Sequence, residues 1–223
     1  MTKAYSQTTE FSTLLQNHVN TKGLVDYKAL KNDQTSLQNY LIYLEKTSPI
    51  KDWSTNKEKA FWMNVYNAYT LKIIVDNYPL KSITDIKIKG KTVWKTSFVK
   101  VGGQAYSLDY VEHEILRKKF KDPRIHVGVN CASGSCPKLK NMAFTEKNID
   151  STLERLMKEF INDPTRNKLR KNKVEISEIF HWFESDFTTN GSVVDYLNKY
   201  AEIPINKKAK IKYLPYDWSL NGI

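Results

Sequence analysis

Two thiols and a nearby imidazole are the most reactive groups that this sequence brings close together. Cys131 and Cys136 lie in NCASGSCPK, and His126 precedes them in RIHVGVNCASGSC. A thiol becomes a nucleophile where a base or cation favours its thiolate, so the combination suits acyl transfer or hydrolysis. The Ala-Ser-Gly-Ser loop between the thiols is small. Its Ser133 and Ser135 hydroxyls and its backbone N–H groups suit an anion or oxyanion. Four residues separate the cysteines, which fits neither the C-x-x-C redox pattern nor the usual zinc spacing. A disulfide, an inert buried pair and a reactive pair are all compatible with that spacing.

Two further groups are polar in a chemically useful way. Asn64 and Asn67 are three apart and share a helix face with Ala68 and Leu71. A buried amide left unpaired costs roughly 1–3 kcal/mol, so both must meet something fixed, either a loop backbone or a ligand. Asp109, Glu112, His113 and Glu114 form the other group. Asp109 and His113 are four apart, which lets the carboxylate orient the imidazole or leaves a plain helix-surface pair. His113, His126, Cys131 and Cys136 would suit zinc by residue type, but paired close spacings are missing, so no metal and no cofactor is expected. His18 and His181 sit beside aromatics in helical patterns and read as packing residues.

The elements that must position these groups are legible from periodicity. NKEKAFWMNVYNAYTLKIIVDN runs from Asn56 to Asn77 without Gly or Pro and predicts a long helix. Shorter helices are expected over Thr9–His18, around Leu37–Leu44, in SLDYVEHEILRKKF after Ser107, over Ile149–Phe160 and in VVDYLNKYA. LVDYKAL is ambiguous. Gly90 and Gly102-Gly103 punctuate two hairpins, and KIKYLPYDWSLN supplies a terminal strand. VEISEIFHWFESDF reads as a strand turning into a helix. RIHVGVN is β-rich and predicts a central strand, on which His126, Gly128 and Asn130 face one side and Cys131 the other. A turn after Asn130 must then bring the thiol round. Helices outnumber strands, and the strands come as hairpins or single runs, so the expected class is α+β: helices around a small, mostly antiparallel sheet.

Composition narrows the partners. The 223 residues carry a net charge of +11, yet only five of the 35 basic residues are Arg. Nucleic-acid recognition leans on Arg forks, and the Lys-dense stretches IKIKGKTVWK, NKLRKNK and NKKAKIKY are scattered and match no binding motif. No nucleic-acid partner is expected. A solvated basic surface is the simpler reading, with an anionic partner the weaker one. No apolar run approaches the roughly 20 residues of a membrane span.

The segments VDYKALKND, KAFWMNVYNAYTLKIIVDNYPLKSI, SLDYVEHEILR, DPRIHVGVNCASGSCPKL, IFHWFESDF and YDWSLN together resemble the domain of unknown function 547 family, from residue 20 to residue 221. The motifs F-W-x-N-x-Y-N-A and R-I-H-x-x-x-N-C-x-S-x-S-C-P carry most of the likeness. The resemblance marks Trp62, Asn64, Tyr66, Asn67, Glu112, His113, Arg124, His126, Asn130, Cys131, Cys136, Trp218 and Asn221, but it implies no assigned activity. It points localisation outward, to a soluble mature form, because bacterial relatives often carry export leaders. It also suggests an N-terminal helical extension over 1–20, followed by one globular domain over 21–223. A looser similarity is to papain-like and transglutaminase-like cores, in which a Cys opens a long helix and a His sits on a strand. Here the helix offers Asn64, and the Cys follows the His.

The expected site is therefore thiol-centred. Cys131 or Cys136 is the candidate nucleophile and His126 or His113 the candidate base. Asn64, Asn67, Trp62, Tyr66, Glu112, Arg124, Asn130, Ser133 and Ser135 would orient these groups or bind a peptide-like or small thiol substrate. The competing expectation is a non-catalytic module that binds a small molecule or peptide, in which the same cluster is structural.

Overall fold

Several helix starts in this chain are set by short polar side chains that accept an otherwise unpaired backbone N–H, as Asp26, Ser54 and Ser192 do. The structure, a computed structural model, describes residues 3–223, with side chains from residue 7 onward. Helices α1 (Lys3–His18), α2 (Tyr27–Asn32) and α3 (Thr35–Glu45) come first. The ambiguous LVDYKAL segment becomes α2 because Asp26 accepts the Ala29 N–H and caps it. Phe11, Leu14 and Leu15 of α1 are buried, and Phe11 stacks on Tyr40 of α3 with ring centres 4.2 Å apart.

Ser54 caps the long helix α4 (Thr55–Asn77), and every residue from Lys59 to Leu71 is buried. A helix surrounded by protein must satisfy its polar side chains internally. Lys59 does so through Asp122 at 2.8 Å. Around α4 lie two small hairpins, β1 (Lys87–Ile88) with β2 (Lys91–Thr92) and β3 (Val99–Val101) with β4 (Gln104–Tyr106). The second turns through Gly102 and Gly103, both at positive φ, the geometry in which a two-residue turn matches strand twist. A Cβ on Gly102 would also fall 1.6 Å from Ser48 Oγ.

Two expectations about the middle of the chain need correction. The helix after Ser107 is not regular: Tyr110–Arg117 winds as a π-helix and tightens into α5 (Lys118–Phe120) only at its end. RIHVGVN is not a strand. Residues Pro123–Val127 form a 3-10 helix, started by Pro123 and by Asp122 accepting the Arg124 N–H. The Asp-Pro start overrides the β-branched composition, so the two-sided alternation of His126, Gly128 and Asn130 does not apply.

The last third contains α6 (Ile149–Asn162), strands β5 (Lys168–Arg170) and β6 (Lys173–Ser177), the short helices α7 (Ile179–Trp182), α8 (Glu184–Phe187) and α9 (Val193–Leu197), and strand β7 (Lys210–Leu214). Their sheet has the order β5-β6-β7, antiparallel between β5 and β6 and parallel between β6 and β7. The class is α+β, with helices predominating over small sheets. The C-terminal tail closes the molecule: Asn221 donates to Ala132 O and accepts from Val25 N. No helix among the described residues is long and apolar enough to cross a membrane.

Asn64 offers a direct test of what holds this packing. Its amide donates to Phe144 O at 2.8 Å and accepts the Phe144 N–H at 2.9 Å, both buried. Asn64→Ala leaves both backbone groups unpaired and is expected to cost about 2–4 kcal/mol in urea unfolding. A loss below about 0.5 kcal/mol would show that the amide is not what anchors the loop to α4.

Candidate functional site

The cysteine loop is held by amides rather than by a strand ladder. Asn67 of α4 donates to Gly128 O and accepts the Asn130 N–H, both at 2.9 Å. Asn130 donates to Pro137 O at 2.8 Å, and its side-chain oxygen accepts the Ala132 N–H at 2.9 Å. That clamp turns the chain sharply, and Ala132 takes a φ of 59°, a left-handed conformation that non-glycine residues rarely adopt. Asn221 donates to the same Asn130 oxygen at 3.3 Å and accepts from the Tyr27 hydroxyl at 2.7 Å. Asn64, Asn67 and Asn130 thus have their hydrogen bonds taken by protein groups, and none of them lines the adjoining cavity.

The turn presents Cys131 half-buried, with Cys136 buried behind it; both are free thiols. Cys136 Sγ accepts the Cys131 N–H at 3.1 Å. Cys131 Sγ lies 3.1 Å from Ser133 Oγ and 3.4 Å from the Tyr216 hydroxyl, and those two oxygens are 3.0 Å apart. The Cys136 thiol is the chief influence holding the Cys131 thiol below its ordinary value; the Ser133 and Tyr216 hydroxyls and the Ser133 N–H assist against burial. Burial, and then the hydrogen bond to Cys131 and its charge, push Cys136 up, so it stays protonated as the donor. One thiol is prepared as a thiolate by the other.

Cys131 and Cys136 open onto a cavity of about 200 Å³ lined also by Tyr66, Glu112, His113 and His126. His126 is buried and stacks on Phe183 with ring centres 4.1 Å apart. Its Nε2 lies 2.7 Å from Asp186 Oδ2, which leaves Nδ1 as the nitrogen not engaged by the carboxylate. Burial lowers the His126 pKa, and Asp186 opposes that only in part. Burial would raise the Asp186 carboxyl, but the hydrogen bonds from His126 and Arg117 outweigh it and hold the group well below its ordinary value. Arg117 binds Asp186 through two nitrogens, at 2.6 and 2.9 Å, and its third lies 3.2 Å from His113 Nδ1. His113 is also shifted down, by burial and then by Arg117. Among the described residues no hydrogen bond joins either sulfur to an imidazole.

Glu112 is the unusual acid. Desolvation pushes its carboxyl up to about 7, despite a hydrogen bond from Tyr66. It stands on the π-helix, a winding often found at functional sites, and Asp109 and His113 of the same segment reach the cavity with it.

The remaining expected residues lie elsewhere. Trp62 is buried against Phe61 and Tyr106. Arg124 forms an ion network with Asp122, Asp150 and Glu154. Ser135 accepts the Asp217 N–H at 2.8 Å, and Ser133 reaches the site only through Cys131 and Tyr216. Sequence reasoning missed Asp186, Arg117, Trp94, Trp182, Phe183 and Tyr216. The IFHWFESDF and YDWSLN segments carry most of these, and an acid among aromatics was the available signal.

Two measurements check the electrostatics. Cys136→Ala removes the main donor to the Cys131 sulfur, so the pH midpoint for alkylation of Cys131 by iodoacetamide should rise and its rate near pH 7 fall several-fold. An unchanged midpoint would show that Cys136 does not tune Cys131. The Glu112 carboxyl binds its proton more tightly folded than unfolded, so its contribution to stability is complete below about pH 4.5 and is lost as pH rises through about 7. Glu112→Gln should therefore match the parent near pH 4 and exceed it near pH 8.5, by on the order of 3 kcal/mol in chemical unfolding. Equal stability at both pH values would mean that the carboxyl is not desolvated.

Residues 50–161 match the model of a family described as "Protein of unknown function, DUF547". The matched stretch includes α4, the π-helix, the cysteine loop and α6, and it ends before Asp186 and the C-terminal aromatics. No curated protein and no solved structure matches the chain. With half of its length covered by that family model, the chain belongs to the DUF547 family.

Proposed function

We propose that the chain is a thiol-dependent acyl transferase or hydrolase acting on small or peptide-like acyl compounds, with Cys131 as the nucleophile. The observation that carries this reading is the half-buried Cys131 sulfur, set among hydrogen-bond donors beside a cavity that a carboxylate-fixed imidazole also lines. Donors aimed at a sulfur in a partly dry site favour the thiolate and make it available at neutral pH.

In the proposed cycle the Cys131 thiolate attacks the acyl carbon and forms the C–S bond. The bond to the leaving group breaks, and that group departs with the proton of the Glu112 carboxyl. Water, or an acceptor amine or thiol, then attacks the thioester and gives a proton to the Glu112 carboxylate. The C–S bond breaks and the thiolate returns. A carboxyl at about 7 suits both halves, because it is half protonated at the working pH. His126, held by Asp186, accepts a hydrogen bond from the leaving group or the incoming nucleophile through Nδ1. Cys136 tunes the nucleophile and does not itself attack.

The missing sulfur–imidazole hydrogen bond favours a second reading, a binding module in which the same cluster holds a ligand without turnover. Acylation separates the two. After incubation with p-nitrophenyl acetate, mass spectrometry should find one acetyl group on Cys131. Cys136→Ala should retain the label and Cys131→Ala lose it, while Glu112→Gln should slow release by about 10²–10⁴-fold. If Cys131 acylates no faster than cysteine in an unfolded peptide, the binding module is the better account.

A further inference from the structure

We propose that the cavity beside Cys131 is built to hold a substituted ammonium group, so that the acyl compound it processes carries a fixed positive charge. Naming that compound as the substrate rests on the thiol reading above; the ammonium site itself does not.

The cavity's outer wall is aromatic. Trp94, Trp182, Tyr216 and Trp218 come from three separated segments and meet there. Trp218 stands 5.7 Å from Trp94, 5.9 Å from Trp182 and 4.7 Å from Tyr216 between ring centres, and Trp182 is 4.7 Å from Tyr216. Trp182 is 46% exposed, so the core does not require it there. The faces of such rings carry negative charge density, which attracts a cation stripped of water.

The charges in the lining point the same way. The chain has 35 Lys and Arg and a net charge of +11, yet no Lys or Arg lines this cavity. Its acids are Asp109 and Glu112. Asp109 is half-buried, and its carboxylate makes no hydrogen bond or ion pair among the described residues. The nearest guanidinium, Arg117, sits over Phe183 at 4.9 Å and is already neutralised by Asp186. On so basic a molecule, a hollow offering carboxylates, a thiol and π-faces repels no cation and gives an anionic ligand nothing to pair with. The volume of about 200 Å³ admits a small head group with a short acyl chain.

Choline, tetramethylammonium and the uncharged isostere 3,3-dimethylbutan-1-ol serve as probes. Tryptophan fluorescence should saturate with the two cations and respond far less to the alcohol. Trp182→Ala, at an exposed position, should keep the fold and weaken choline binding roughly two- to five-fold. Asp109→Asn should weaken it as well, and bound choline should slow alkylation of Cys131 by iodoacetamide. Equal binding of the alcohol, or no saturation by about 100 mM choline, overturns the ammonium site. Fast alkylation of Cys131 without choline binding overturns this inference and leaves the thiol reading standing. Choline binding with alkylation no faster than in an unfolded peptide removes its claim to be a substrate site and sinks the thiol reading.

Discussion

The site depends on one arrangement: amide side chains from the buried middle of α4 replacing the strand ladder that the cysteine loop lacks. Segment 128–145 runs against α4 without regular pairing, so its backbone groups need partners of another kind. Asn67 supplies two at the start and Asn64 supplies two at the end. Each amide offers one donor and one acceptor in a plane, the same pattern as a neighbouring strand residue. Because both amides are three residues apart on a rigid helix, the loop's two ends are fixed relative to each other. Asn130 then pulls the chain back on itself through Pro137 and Ala132, and the left-handed Ala132 is a consequence of that closure. Strain of this kind persists only where surrounding contacts over-determine it, and here they do.

The electrostatics follow from that clamp. A loop bent this tightly brings Cys136 under Cys131, so one sulfur receives a backbone N–H and the other a thiol donor. Nearby, burial keeps His126 and His113 neutral while Asp186 stays charged against Arg117. The result is a pocket with neutral imidazoles, a carboxyl near 7 and no free cation, inside a molecule whose surface is strongly basic. Lysines on that surface are solvated and screened beyond roughly 8–10 Å, so they do not set the field in the pocket. Local desolvation does.

How far the sequence revealed this depended on the length scale of each interaction. The α4 helix, the two hairpins, α6 and the α+β class were legible because periodicity and Gly or Pro punctuation are local signals. The pairing of Cys131 with Cys136 and the use of Asn64 and Asn67 were legible as a question, since buried amides must find partners, but the partner could not be read from spacing. RIHVGVN was misread because it packs on α6 as a 3-10 turn, and the Asp-Pro start outweighed the preference of its β-branched residues. Asp186, Trp182 and Tyr216 were missed for a different reason. They lie 46 to 85 residues beyond the cysteines, and for Tyr216 it is the return of the tail against Ser133 and Gly134 that brings it back. No periodicity encodes that return.

The way the proposed nucleophile is stabilised has a chemical consequence. In a thiolate–imidazolium pair the partner's positive charge cancels the thiolate's, and the site is neutral overall. Here the donors around Cys131 are themselves neutral: a thiol, two hydroxyls and a backbone N–H. The negative charge is therefore retained beside the Asp109 carboxylate, while Glu112 holds its proton until the leaving group takes it. A lowered pKa makes the sulfur a somewhat weaker nucleophile but a better leaving group, which favours return of the thiolate in the second half of an acyl-transfer cycle. Such a site needs its missing positive charge from outside the protein. A cationic group on the incoming acyl compound would supply it at the moment of binding, near the aromatic wall, and would stabilise the oxyanion that attack creates. On that reading charge balance and turnover are one requirement, met by the ligand and not by a basic residue of the chain.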